Sequence, residues 1–285
     1  MRYLGGLILA SDDSRFGGYS GLSVDADGGG AWAVSDRGHW LRMEFALRPD
    51  GVPGMVRIAA LRPLLGPDGR VLEGRQSTDA EGLRRDESGA AWVSFERRHR
   101  LLYYPGGPEG RAPPLEIPLP GDIARLPGNG GLESVVLLGA NNGQAADLLL
   151  LAEQPLPGEA GFAPLWLRRA GEWTRLSWPL TGDFRPTDAV KLPGNRRDIL
   201  VLERDFRWLA GWAVRLSRVS GQAIEAGGVL QPERLAEWMR PYANDNLEAM
   251  DVRIGPDGAP WLYLMSDDNH SRSQRTLLLI FRLEP

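Results

Sequence analysis

Cysteine is absent from the chain, which excludes a disulfide framework, a zinc-thiolate centre and a cysteine nucleophile. Lysine is nearly absent: of 33 basic residues only Lys191 is not an arginine. No apolar run approaches the roughly 20 residues of a membrane-spanning helix. The opening MRYLGGLILASDD shows no basic region, apolar core and cleavage site of a leader, although a secreted protein stripped of its signal would read the same. An excess of positive charge is also missing. The formal net charge of −4 gives no long-range pull toward nucleic acid or an anionic bilayer, so neither partner is expected. There is no P-loop or dinucleotide fingerprint, and GYSGLS around Ser20 lacks the second glycine of a nucleophile elbow.

What is present is a repeat. Near the C-terminus, Glu248 precedes a short apolar strand, the chain turns at Gly255-Pro256-Asp257-Gly258, and PWLYLMS leads back to Asp267, Asp268 and Asn269. In an antiparallel hairpin, residues equidistant from the turn end side by side, which predicts that Glu248 and Asp267 lie together. Four upstream segments repeat the pattern. Gly21 and Asp36 bracket Asp27-Gly28-Gly29, Glu81 and Glu96 bracket Asp86 to Gly89, Glu133 and Glu153 bracket Asn141-Asn142-Gly143, and Asp188 and Glu203 bracket Pro193-Gly194-Asn195. The first positions, 21, 81, 133, 188 and 248, are 60, 52, 55 and 60 residues apart. A period of that length filled with short strands predicts propeller blades.

The expected fold is therefore all-β, one propeller domain over residues 1–285, five blades by direct count with six left open by the longer intervals 37–80 and 204–247. YLGGLILA at residues 3–10 has no nearby hairpin partner and is expected to complete the last blade, closing the ring. Trp32, Trp92 and Trp261 follow turns and are expected to fill the wedges between blades. PERLAEWM, in the segment 231–241, has helical spacing and reads as an insertion or short helix.

In a propeller the start of the innermost strand and the end of the second share one face. The repeat therefore gathers Asp36, Glu81, Glu96, Glu133, Glu153, Asp188, Glu203, Glu248 and Asp267 around one channel mouth. Like charges so close raise one another's pKa values and need cations. Arg37, Arg97 and Arg204, each directly after a second-position acid, are one source. A bound ion is the other, and oxygen donors favour Ca2+, with Mg2+ second, over zinc. His39, His99 and His270 each stand three residues after a second-position acid, which places them in the same loop of three repeats. The alternative is purely structural, with the acids bonding backbone N–H groups or a neighbouring blade's arginine.

These segments also resemble a known family. SGLSVD with AWAVSDRG, DAEGLRRD with AWVSFERRHRLLYY, PTDAVKLP with DILVLERDF, and DNLEAMDV with LMSDDNHSRSQRTLLLIF are similar to the phytase-like family, labelled "esterase-like activity of phytase". The resemblance implies a bacterial propeller, secreted or periplasmic, that hydrolyses phosphoesters with calcium. Its motif positions fall on Asp36, Arg37, Glu81, Glu96, Arg97, Asp188, Glu203, Arg204, Glu248, Asp267, Asp268 and Asn269. The third repeat departs, with Gln154 where other blades have arginine. The expectation is a monomer acting on a small phosphorylated substrate. The metal would be held by Asp36, Glu81, Glu96, Asp188, Glu203, Glu248, Asp267, Asp268 and Asn269, the phosphate by the three arginines, and a histidine would protonate the leaving group. The alternative is a non-catalytic propeller that binds a small ligand or a protein and carries a structural calcium site.

Overall fold

Three of the expected hairpins turn on a glycine in the left-handed region, Gly28, Gly89 and Gly258, with φ of 75°, 88° and 75°. Their N–H groups donate to the carbonyls of Asp25, Asp86 and Gly255. Side-chain-bearing residues adopt this conformation at a cost, so these glycines hold the register of the strands they join. The computed structural model describes residues 1–139, 143–194, 197–208, 211–239 and 245–284. Asn141, Asn142, Asn195 and the end of the 231–241 segment lie outside the described residues.

The strands form five sheets in a ring, a five-bladed propeller. An N-terminal strand, β1 (Arg2–Leu9), precedes blade one, which holds β2 (Tyr19–Val24), β3 (Gly30–Ser35), β4 (His39–Leu47) and β5 (Pro53–Pro63). A short helix, α1 (Arg75–Thr78), leads into blade two: β6 (Ala80–Arg85), β7 (Ala91–Phe95), β8 (Arg100–Tyr104) and β9 (Leu115–Ile117). Blade three holds β10 (Leu132–Leu137), β11 (Leu148–Ala152), β12 (Phe162–Arg169) and β13 (Glu172–Pro179). Blade four begins with β14 (Arg185–Lys191), β15 (Ile199–Arg207) and β16 (Gly211–Val219); then α2 (Gly221–Ala226) and β17 (Gly228–Val229) intervene before its edge strand β18 (Glu233–Trp238). Blade five is β19 (Leu247–Ile254), β20 (Pro260–Ser266) and β21 (Thr276–Arg282).

As expected, β1 pairs antiparallel with β21, from Arg2 opposite Arg282 to Leu9 opposite Thr276. The ring is thereby closed, and β21 has no free edge. The long intervals 37–80 and 204–247 contain blade edges and helices among the described residues, and no sixth blade. PERLAEWM corrects the helical expectation. It forms β18, antiparallel to β16, because edge pairing and the packing of Trp238 against Phe281, with ring centroids 6.1 Å apart, outweigh its helix-forming composition.

The core is five apolar layers, one between each pair of neighbouring blades. Trp32, Trp92 and Trp261 are buried in three of them, as their position after the turns implied. Among the described residues no helix is long and apolar enough to cross a membrane.

Candidate functional site

The innermost strands β2, β6, β10, β14 and β19 share an irregularity. Each breaks register against its partner near its start, between Tyr19 and Gly21, Ala80 and Leu83, Leu132 and Ser134, Pro186 and Asp188, and Leu247 and Ala249. A bulge re-aims the extra side chain. Four of the five bulged residues, Ser20, Glu81, Glu133 and Glu248, line a cavity of about 200 Å3 at the channel mouth. The fifth, Thr187, donates instead to the carbonyls of Leu202 and Leu247, both at 3.4 Å.

A second set comes from the second strands: Asp36, Glu96, Glu153 and Asp267, each directly after its strand, and Arg204 within β15, all in the cavity wall. The N–H groups of Asp36, Glu96, Glu153 and Asp267 donate to Gly18, Asp79, Gly131 and Asn246 carbonyls at 2.9 to 3.0 Å. Gly18 is confined by this arrangement. Its φ is 69°, and a Cβ there would meet the Asp36 carboxylate at 2.1 Å. Asp79, Arg75, Arg97, Asn129, Asn269 and Trp212 complete the wall. Eight carboxylates thus face three guanidinium groups.

The charges are unevenly compensated. Arg204 pairs with Glu248 and lies 3.8 Å from Glu153, while Glu248 also accepts from Asn246 Nδ2 at 2.7 Å and Ser20 Oγ at 3.4 Å. Arg97 pairs with Asp79. Glu96 accepts the N–H groups of Gly130 at 2.7 Å and Gly131 at 3.1 Å. Glu81 and Glu133 have no ion-pair partner among the described residues. Burial, then the charges of Glu96 and Glu248, push Glu81 well above the usual carboxylate range, and burial with the Glu81 and Glu153 charges does the same to Glu133. Asp267 is raised by burial and Glu248, and Asp36 is pushed up to about 6 by burial and the Asp79 charge. One side-chain oxygen from each of Asp79, Glu81 and Glu96 lies within 4.8 Å of the other two, all three residues buried.

Not every expected residue reaches this site. Asp188 lies deeper, as the floor of the channel. Its carboxylate accepts from Arg84 Nη2 at 2.8 Å, Ser134 Oγ at 2.7 Å and the N–H groups of Ala189 and Met250 at 2.8 Å. Glu203 is held between blades three and four by Trp178 Nε1 at 3.2 Å and Ser217 Oγ at 2.9 Å. In blade four the repeat positions are therefore Thr187 and Arg204, one residue away from the two acids, and a one-residue slip reverses the face of a strand.

Arg37 is exposed and outside the cavity wall. Asp268 organises its own loop, accepting from the N–H groups of Gly18 at 3.2 Å and His270 at 2.9 Å and from Thr276 Oγ1 at 3.0 Å. None of the three histidines lines the cavity. His99 Nε2 lies 3.4 Å from the Leu126 carbonyl, and His39 begins β4 with its N–H on Ser35 Oγ at 3.2 Å. His270 alone approaches a wall acid, with Nε2 3.7 Å from Asp36. Burial lowers the pKa of all three. Conversely, sequence reasoning missed Asp79, Arg75, Asn129 and Trp212. The DAEG motif contains Asp79 and is the signal from which it could have been found.

A five-bladed propeller with a polyacidic, arginine-edged channel mouth is the class that this fold and site define. The profile of the phytase-like family, described as "esterase-like activity of phytase", matches residues 14–270, and the chain belongs to that family. No curated protein matches the chain. Among solved structures, an endo-arabinase from Bacteroides thetaiotaomicron is similar at 13% identity and a TM-score of 0.55, over 96% of this chain and 95% of that one. A protein of unknown function from Dyadobacter fermentans is similar at 13% identity and a TM-score of 0.48, over 93% of this chain and 76% of that one. At 13% identity the likeness to the endo-arabinase speaks for the fold alone.

Proposed function

We propose that the channel mouth is a divalent-cation-assisted phosphoesterase centre, taking Ca2+ with Mg2+ as second choice. The observation that carries this reading is the convergence of Asp79, Glu81 and Glu96 oxygens within 4.8 Å, beside an arginine that is itself in the wall. The donor set fits a hard cation: it consists of carboxylate oxygens without sulfur or nitrogen. Glu81 lacks a cationic partner among the described residues. When bound, such an ion polarises a phosphoryl oxygen and lowers the pKa of a water.

The chain's own groups supply the rest. Arg97 and Arg75, both in the wall, hold the phosphate oxygens and offset their charge. In the hydrolysis the water oxygen bonds to phosphorus, the P–O bond to the alcohol breaks, and a proton ends on the alcohol oxygen. Asp36 replaces the histidines as the group that holds that proton, since it lines the cavity and burial with the Asp79 charge pushes its pKa up to about 6.

Release of phosphate from phenyl phosphate and from phytate, measured with calcium and with chelator, tests the reading. Calcium-dependent turnover is expected, and Glu81→Gln should weaken the metal requirement's half-saturation by at least about tenfold. Absence of turnover with every divalent cation overturns it. The reading then left is a binding propeller, which the internal satisfaction of Glu96 and Glu248 favours.

A further inference from the structure

Four blades turn between their second and third strands at the level of the mouth. Strands β3, β7, β11 and β20 end at Ser35, Phe95, Ala152 and Ser266, one residue before the acid in the wall. Blade four is different. Strand β15 continues past Arg204 to Arg207 and β16 returns from Gly211, with Phe206 opposite Trp212 and Arg204 opposite Val214. Three further residues at about 3.3 Å each lift this hairpin roughly 10 Å above the ring. Residues 209 and 210 lie outside the described residues.

Strand alternation puts Arg204, Phe206 and Trp212 on one face of the hairpin. Arg204 and Trp212 line the cavity. The Arg204 guanidinium carbon lies 5.2 Å from the Trp212 ring centroid, and the Phe206 ring lies 4.9 Å beyond at 56°. Phe206 is 58% exposed, and Trp208, two residues further on, is 87% exposed. The other face is occupied with holding the hairpin: Arg207 pairs with Asp205 at 2.7 Å, and Arg215 lies 3.7 Å over Phe184. Phe206 and Trp208 leave much of their surface in water and fill no core, which marks a binding surface rather than a packing role.

We propose that Phe206 and Trp208 form a ring-binding subsite of the mouth, taking the flat aromatic alcohol of an aryl phosphoester whose phosphate lies in the arginine-edged cavity. The inference rests on the phosphoesterase reading and names its substrate class. The Arg204 guanidinium, the Trp212 indole and the Phe206 phenyl stand in series, 5.2 and 4.9 Å apart, so a ring stacked beside Phe206 adjoins the cavity wall through Trp212, and the group it carries into the cavity is the phosphate. Flat π faces favour stacking on such a platform, whereas an alkyl group gains only the area it covers.

The test compares phenyl phosphate with glycerol phosphate in calcium, for the wild type and Phe206→Ala/Trp208→Ala. The double variant should raise KM for phenyl phosphate about tenfold and move KM for glycerol phosphate less than about twofold, with the melting temperature held because both side chains are exposed. Titration with phenylphosphonate, which cannot be hydrolysed, separates this inference from the reading beneath it. Phosphonate binding that the double variant loses, without turnover of any ester, supports the subsite and overturns the phosphoesterase reading. Turnover with the same aryl-to-alkyl KM ratio in both proteins overturns the subsite and supports the reading. Neither turnover nor phosphonate binding overturns both.

Discussion

The floor and the mouth of the channel are built by the same five strands and solve the same problem differently. At the floor, Leu22, Arg84, Ser134, Asp188 and Met250 contribute one group from each innermost strand. Arg84 donates to Asp188 at 2.8 Å and to the Leu22 carbonyl at 3.2 Å, while Asp188 takes Ser134 and the Met250 N–H as further donors. The positive group is paired with a carboxylate, and the hydrogen-bonding capacity of that carboxylate is filled. A few residues above, eight carboxylates face three guanidinium groups, and Glu81 and Glu133 have no ion-pair partner among the described residues. The difference teaches how to separate structure from function among buried charges. A balanced, saturated pair holds strands together and asks nothing of solvent, while an unbalanced cluster leaves carboxylates that a proton or a cation can meet.

Breaking the floor should have the largest effect. Asp188→Ala leaves Arg84 buried without its counter-charge, an arrangement that costs about 3–5 kcal/mol, and thermal or denaturant unfolding should show the loss equally with calcium and with chelator. Arg84→Met/Asp188→Leu should recover much of it, because removing both charges removes the desolvation cost. A floor variant whose loss is rescued by calcium would erase the distinction between the two regions.

The same contrast explains what the sequence made legible. The blade number, the closing strand and most wall acids follow from turn residues and their spacing, because a glycine-based hairpin fixes register over the whole strand pair. The error in blade four came from the same logic applied one residue off. Asp188 and Glu203 are acids in almost the right place, but the bulge makes Thr187 and Arg204 the repeat positions, of which only Arg204 reaches the mouth, and nothing in PTDAV or LVLERDF reveals which residue bulges. The loop after the second strand misled for a related reason. Blade one takes its left-handed turn at Gly38, φ 73°, and blade two takes it at Arg97, φ 57°. Arg37 therefore leaves toward solvent and Arg97 enters the cavity, although both follow an acid. Asp79 and Arg75 were missed because they enter from α1 and its exit, outside the hairpin whose symmetry guided the reading.

Filling the mouth should have the second largest effect. A cation that binds only the folded form stabilises it by RT ln(1 + [L]/Kd), about 2.7 kcal/mol at a hundredfold excess. Calcium should therefore raise the melting temperature, and chelation should lower it. Glu81→Gln should shrink that calcium response while preserving side-chain shape, whereas the floor variants should keep it in full. An identical melt with calcium and chelator would mean that arginine pairing alone completes the mouth.

Protons should give the smallest effect, and one that tells the regions apart. Burial and the Asp79 charge raise Asp36 from 3.8 to about 6, and Asp267, Glu81 and Glu133 are raised by burial and neighbouring carboxylates. A folded-state pKa above the unfolded value means that the folded form binds the proton more tightly. In chelator, stability should accordingly rise as pH falls from 7.5 toward 5, and be lost as pH climbs through about 6. Burial raises Asp188 too, with Arg84 opposing, so the floor adds a contribution of the same sign. Its oxygens are saturated by protein donors, however, and calcium cannot compete there. A cation bound at the mouth would contend with protons for the same oxygens, so saturating calcium should flatten or reverse the slope. The difference between melting curves taken with calcium and with chelator across pH 5–7.5 then isolates the mouth. Surface pairs such as Asp13 with Arg15 and Asp257 with Arg282 hold their carboxylates low and lose their contribution only on further acidification, outside this window. Parallel pH curves in calcium and in chelator would show that the wall carboxylates never meet the ion.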